Sequence, residues 1–412
     1  MQDIHARQLL TAMFERAVAT AMPQQSLLDN LPDKPRGKCV VVGAGKASAA
    51  MAAELENLWP DVAMQGVVVT RYEHSVPCRK IEILEAGHPV PDDNSVIAAR
   101  RILEAVQGLG PEDTVIALIS GGGSSLMVAP VDGVTLLQKQ LLNKKLLKSG
   151  ATIHEMNVVR QAFSLIKGGG LLRAAQPAKV VTLMISDVPG DDPATIASGP
   201  TVKVDNLRER AAAILKKYSI DPPVEIAEPE TGADVNSDIR VIATARKALE
   251  AAAAVADENG YEPVMLGDTI EGEASETGRF MAATVQMMDR DSDATRPVAI
   301  LSGGETTVTI GPEGAGRGGR NTEFLLSLAI ALGDDNGRYA IACDTDGIDG
   351  TEDAAGAIIT PDTLARGRAL GLDAAEYLRR HDSYSYFDAL GDLVRTGPTL
   401  TNVNDFRAIL AT

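Results

Sequence analysis

Short apolar runs punctuate this chain, and each breaks at once into glycine, serine or aspartate. The runs are CVVVGAGKAS at 39–48, TVIALISGGGSS at 114–125, KVVTLMISDVPGDD at 179–192, PVAILSGGET at 297–306 and YAIACDTDGIDG at 339–350. Unbroken apolar runs of this length are the mark of strands covered on both faces, and helix-like stretches lie between most of them. The alternation predicts an α/β protein with mostly parallel sheets flanked by helices. At the N-terminus, Ile4, Leu10, Met13, Phe14 and Ala17 fall three and four apart and predict an amphipathic helix. ATARKALEAAAAVADENGY, from 243, predicts an Ala-rich helix ended by Gly260.

At 412 residues the chain exceeds the size at which single cores usually stop growing, about 250–300 residues, so two domains are expected. The Pro- and acid-rich IDPPVEIAEPETGADVNS at 220–237 lacks apolar periodicity and is the expected linker. No repeat of fixed period stands out, although SGGG at 120–123 and SGGE at 302–305 take equivalent places after their strands.

Charge narrows the partners. A net charge of −17 repels phosphate backbones, so nucleic acid is not an expected partner. A small anion is still compatible with it, because a few buried basic residues can set the potential of a cleft against the overall field. Three cysteines far apart, with no C-x-x-C pair, suggest neither a disulfide framework nor a zinc site. MQDIHARQLLTAMFERAVATAM holds charges at helical spacing, and no run approaches the ~18 apolar residues of a membrane span. A soluble cytoplasmic protein without a membrane partner is the expectation.

The chemistry concentrates where the strands end, which is where open α/β sheets bind ligands. In GAGKAS, Gly43, Gly45 and Ser48 nearly meet the dinucleotide fingerprint, but the third glycine is replaced and no acid follows the next strand, VVVTRYEH. A Walker loop fails as well, since Val40 stands at its first glycine and Ala47 at its hydroxyl. Lys46 is left as a point charge at a strand-to-helix turn, suited either to an anion or to plain solvation. In the loop from Ser120 to Ser125, Gly121, Gly122 and Gly123 offer backbone N–H groups free of side-chain bulk to phosphate oxygens, and Ser124 and Ser125 add two hydroxyls. The same glycines would equally serve close helix–strand packing. No G-x-S-x-G elbow marks a serine nucleophile.

Asp187, Asp191 and Asp192 follow the third run, where carboxylates suit Mg²⁺, a hydroxyl proton or simple turn formation. In the second half, Glu305 sits at a strand turn and Arg320 opens a helix after a glycine cluster, a natural fork for a carboxylate or phosphoryl group. Asp344, Asp346 and Asp349 depart from calcium-loop spacing, and His74, His88, His154 and His381 have no ligand spacing. Glycine loops, basic residues and scattered carboxylates, without an intact cofactor or nucleophile motif, suit phosphoryl transfer. A non-catalytic binder of an anionic metabolite is the bland alternative.

Ten segments in order carry a resemblance: GAGKAS, GHPVPDDNS (87–95), SGGGSS, HEMNVVRQAFSLIKGG (154–169), SDVPGD, IASGPT (196–201), LSGGETTV (301–308), GRGGRNTEF (316–324), DTDGIDG and GPTLTNVND (397–405). With them the chain resembles the class II, MOFRL-containing glycerate 2-kinase family, some of whose members are labelled hydroxypyruvate reductase. The resemblance implies a Rossmann-like larger domain over 1–236, completed by 398–412, and a smaller α/β domain of MOFRL type over 237–397, with the site between them. It implies ATP- and Mg²⁺-dependent phosphorylation of the 2-hydroxyl of D-glycerate. On its motif Lys46 and Arg320 would be the catalytic residues, with the nucleotide expected on Gly43, Gly45 and the 120–125 loop. Asp187, Glu305 and Asp346 are candidates for substrate or proton, and Asp187 and Asp192 for metal. The expected assembly is a monomer or homodimer. Gly170, Leu400 and ATARKAL depart from the family pattern. The rival reading is an NAD(P)H-dependent hydroxypyruvate reductase, prompted by the near-fingerprint and by Arg71.

Overall fold

The computed structural model describes residues 2–226, 236–291, 296–311, 314, 316–334 and 337–411. Residues 227–235, half of the expected linker, lie outside these. The chain divides into two units, one formed by Pro23–Ile242 and the other by Met1–Met22 with Ala243–Thr412.

In the Pro23–Ile242 unit the apolar runs become β1 (Cys39–Ala44), β2 (Met64–Arg71), β3 (Ile81–Ala86), β4 (Thr114–Ile119) and β5 (Lys179–Ile185), joined by β6 (Ser237–Ala243). Every residue of β1 and β4 is buried, which is why neither run alternates. The order is β3-β2-β1-β4-β5-β6, and the pairs from β3 through β5 are parallel. This is a Rossmann-like order whose direction reverses between β1 and β4. Val40, Val42, Val115, Ala117 and Val180 pack with Ala98 and Ile102 of the helix Asp93–Ala105 in one aliphatic core. That helix starts cleanly because Asp92 accepts the N–H of Ser95 and the Ser95 hydroxyl returns to Asp92 N–H. A second core joins the helices Leu136–Lys148, Ile153–Ala162 and Leu207–Lys217 through Leu142, Leu146, Phe163 and Leu215.

The other unit holds β7 (Glu262–Glu273), β8 (Val298–Thr307), β9 (Arg338–Asp344), β10 (Gly356–Ile359), β11 (Leu393–Val394) and β12 (Asp405–Ala411), ordered β11-β10-β9-β12-β8-β7. β7 and β8 are parallel, and the helices Ala274–Asp291 and Arg320–Leu332 link β7 to β8 and β8 to β9. The last strand then inserts antiparallel between β8 and β9. The sheet is therefore mixed rather than mostly parallel, because the closing strand enters between two strands that β-then-α alternation would have made neighbours.

Two boundary expectations change with this. Residues 398–412 do not complete the first sheet, since all of β12 pairs in the second. The N-terminal helix Gln2–Ala21 also belongs with the second sheet, where Phe14 packs on Phe406 with ring centroids 5.8 Å apart. Its buried stripe is Ala6, Leu9, Leu10, Met13, Phe14 and Ala17, whereas Ile4 is exposed. The helix Ala245–Glu258 ends as expected, with Gly260 left-handed at φ 84°. Among the described residues no helix is long and apolar enough to cross a membrane.

Candidate functional site

The GAGKAS and SGGGSS loops leave the carboxyl ends of β1 and β4, the strands on either side of the order reversal. Backbone and side-chain bonds fasten them together. Lys46 N–H donates to Gly121 O at 2.9 Å, and Ala47 N–H donates to Ser120 Oγ at 3.0 Å. Ser48, at the place of the third fingerprint glycine, is buried and donates to Leu118 O at 2.9 Å.

What approaches the bare glycines is the protein itself. A Cβ on Gly121 would lie 1.7 Å from Oδ2 of Asp187, and one on Gly45 would lie 2.1 Å from Ser120 Oγ. A side chain at either position would force two loops apart. Next to them, the place of a Gly122 Cβ is 2.8 Å from His88 Cδ2 and 3.5 Å from Lys46 Cγ. The triglycine thus lets the loops after β1, β3, β4 and β5 meet at one point, with Lys46, His88 and Asp187 around it. Gly43 is a strand residue whose Cβ would abut Leu118 O.

The hydroxyls of this loop have partners within the protein. Ser125 Oγ donates to Gly122 O at 3.0 Å. Ser124 Oγ accepts from the ammonium of Lys167 at 2.7 Å and lies 2.9 Å from Ser198 Oγ. Asp192 acts as a turn former, taking the N–H of Ala194 and the hydroxyl of Thr195. Among the described residues no group of three or more His, Cys, Asp or Glu is arranged to hold a metal ion. Asp187, pressed against Gly121, fits the other kind of magnesium site, in which one carboxylate joins substrate phosphates and water.

The second unit gathers carboxylates around Arg320. Its Nε faces Asp405 Oδ1 at 2.8 Å, Nη1 faces Glu305 Oε1 at 2.6 Å and Nη2 faces Asp344 Oδ2 at 2.8 Å. Burial alone would lower the guanidinium's pKa, but Asp405, Asp344 and Glu305 more than reverse this and hold it above the ordinary arginine range. Asp405 is shared, its Oδ2 accepting from buried Arg407 at 2.6 Å and its Oδ1 also from Asn321 Nδ2 at 2.9 Å. Asp349 takes the N–H groups of Asn321 and Thr322 and the Thr322 hydroxyl at the start of the Arg320 helix. Burial pushes its carboxyl up to about 6 in spite of those bonds. Asp346 is buried and accepts from Ile348 N–H at 3.0 Å, while Glu305 is half exposed.

Asp405, Arg407, Lys167 and His88 were assigned no role from the sequence. DFR, opening an otherwise apolar last strand, was the signal for the first two. The lysine in FSLIKGG, between an apolar run and glycines, was the signal for the third.

Comparison with known proteins agrees with the resemblance. The family described as Domain of unknown function (DUF4147) matches residues 9–228, and the MOFRL family matches 298–405. A protein of Agrobacterium vitis, provisionally named as a hydroxypyruvate reductase, is 58% identical over 99% of this chain and 95% of its own length. The D-glycerate 2-kinase of Thermotoga maritima is 39% identical over 97% of each chain. The crystal structure of a glycerate kinase from Thermotoga maritima superposes with a TM-score of 0.90 at 39% identity, covering 98% of this chain and 99% of that one. The chain belongs to the glycerate 2-kinase family that joins a DUF4147 domain to a MOFRL domain.

Proposed function

We propose that this protein transfers the γ-phosphoryl group of ATP to the 2-hydroxyl of D-glycerate, giving 2-phosphoglycerate and ADP. The observation that carries the reading is the full-length likeness to a D-glycerate 2-kinase. The meeting of the Lys46 loop, the triglycine loop and Asp187 at the order reversal of the first sheet supports it.

In this reaction the glycerate oxygen bonds to the γ-phosphorus as the bond to the β–γ bridging oxygen breaks. The hydroxyl proton leaves to a carboxylate. Charge spreads over the phosphoryl oxygens, so the protein contributes mainly by position and electrostatics. Lys46 and Arg320 are assigned to those oxygens. Asp187 is assigned to Mg²⁺, which when bound neutralises phosphate charge. Glu305 and Asp346 are assigned to the hydroxyl proton.

The test mixes purified protein with D-glycerate, ATP and Mg²⁺ and follows ADP, then with hydroxypyruvate and NADPH and follows absorbance. ADP formation is expected, and NADPH oxidation without ADP would reverse the reading in favour of the reductase. β2 ends in Thr70 and Arg71 with no acid to take a ribose, which speaks against NADH as the rival's cofactor but not against NADPH, the cofactor in the assay. Lys46→Ala should lower kcat by ~10³-fold or more, the scale of a lost charge on a transferring phosphoryl group. Near-normal turnover would remove Lys46 from the mechanism.

A further inference from the structure

A cavity of about 380 Å³ lies in the Pro23–Ile242 unit beside Gly122. Besides Lys144, three cations from separate segments line it: Lys139 on the helix Leu136–Lys148, Arg160 on the helix Ile153–Ala162, and Lys167 from the turn before Gly170–Ala174. Each bonds only to neutral oxygens. Lys139 Nζ donates to Phe163 O at 2.7 Å, and Arg160 donates to Asn143 Oδ1 at 2.9 Å and Asn157 Oδ1 at 3.1 Å. Lys167 Nζ donates to Ser124 Oγ at 2.7 Å and to Ser124 O. Among the described residues none of the three forms an ion pair.

Clustered cations without a counter-ion are costly in a protein interior, and Lys167 is only 3% exposed. Burial, with Arg160 adding repulsion, pushes Lys139 down to about 7, and burial drives Lys167 well below its usual range. An anionic ligand would relieve both effects. In a chain of net charge −17, this is the local positive field that an anion requires.

Size and lining indicate which anion. The cavity falls within the ~300–1,000 Å³ of ordinary ligand pockets, far more than a three-carbon acid fills. Its remaining wall is largely apolar, with Pro89, Val90, Pro91 and Leu136 offering a surface that D-glycerate has no use for and a base and sugar do. At its Gly122 edge stands Lys46, whose Cγ is 3.5 Å from the place of a Gly122 Cβ.

We propose that this cavity is the nucleotide seat, with Lys139, Arg160 and Lys167 binding the polyphosphate and the Pro89–Val90–Pro91 wall taking the base and ribose. The assignment rests on the kinase reading and adds three binding residues to it. Lys46, at the mouth, is then placed for the γ-phosphoryl group.

The test compares Lys139→Gln and Arg160→Gln with the wild type, reading the KM for ATP, the KM for D-glycerate, and ADP affinity by calorimetry without glycerate. Each lost charge–phosphate contact is expected to weaken ADP and raise the KM for ATP about tenfold or more, with the KM for D-glycerate within about twofold. Lys139→Arg should restore ADP affinity. Thermal melts identify any variant that fails to fold; Lys139 is less buried than Lys167. ADP affinity unchanged in both variants, or a KM rise confined to D-glycerate, would overturn the proposal. Wild-type turnover reports separately on the kinase: no ADP from ATP and D-glycerate sinks that reading, whereas normal turnover with undiminished ADP binding in the variants sinks only this seat.

Discussion

Three nitrogens of Arg320 each face a carboxylate, two of them on nearly buried side chains. Arg320→Ala therefore does more than remove a charge from the reaction. It removes the cation that faces Asp344 and leaves Asp405 to Arg407, and breaking a buried pair from one side costs about 3–5 kcal/mol. The expected result is a fall in both kcat and urea midpoint. Lys46→Ala, at a half-buried side chain, should lower kcat with little change in midpoint. An Arg320→Ala protein with wild-type stability would show that the three carboxylates do not depend on it. Asp349 gives a pH-dependent counterpart. Its carboxyl has an ordinary value of 3.8 and is raised to about 6 in the fold, first by burial. Between those values the folded state keeps a proton that the unfolded state has lost, so this group's contribution falls as pH rises from about 4 to about 6 and is level above. The drop is on the order of 3 kcal/mol. Urea unfolding at pH 4.5 and 7 should show Asp349→Asn gaining on the wild type by that order as pH rises. A pH-independent difference would mean that Asp349 does not titrate abnormally.

At the scale of elements, the last strand shows what a sequence pattern conveys and what it hides. DFRAILA reads as a strand, but nothing within it names its partners, which are β8, about a hundred residues earlier, and β9, about sixty. The loops after β1, β4, β5 and β8 were legible, because an apolar run breaking into glycine, serine or aspartate is a local signal. The insertion of β12, and with it the Asp405 bridge between Arg320 and Arg407, is a non-local pairing that alternation cannot reveal. The cations of the cavity were hidden in the opposite way. Lys139 lies in LLQKQLLNKK, which reads as a solvated amphipathic helix, and only the approach of Arg160 and Phe163 turns it inward. Because β12 is interior to its sheet, deleting residues 405–411 unpairs β8 and β9 along their facing edges and removes the partner of Phe14. The truncated chain should lose the cooperative unfolding of the second unit and become readily cleaved within residues 243–404, as followed by limited proteolysis. Wild-type protease resistance would show that the sheet closes without its last strand.

For the whole molecule, the question is how a chain of net charge −17 takes up a nucleotide carrying the same sign. The two effects act over different ranges. At long range every charge counts, so the net field repels ATP and slows encounter. At contact the cations nearest the ligand dominate, since Coulomb energy falls with distance and is larger where water is excluded. Salt separates the two. The screening length is about 30 Å at 0.01 M and about 10 Å at 0.1 M, so added salt removes distant repulsion while weakening the partly buried cations much less. At fixed saturating Mg²⁺ and D-glycerate, kcat/KM for ATP should therefore rise a few-fold between about 10 and 100 mM KCl before contact screening turns it downward. In Lys139→Gln and Arg160→Gln the early rise should persist on a lower baseline, because those substitutions leave the distant field almost unchanged. A rate that falls from the lowest salt onward would mean that local attraction already governs encounter and that the acidic surface has no part in it.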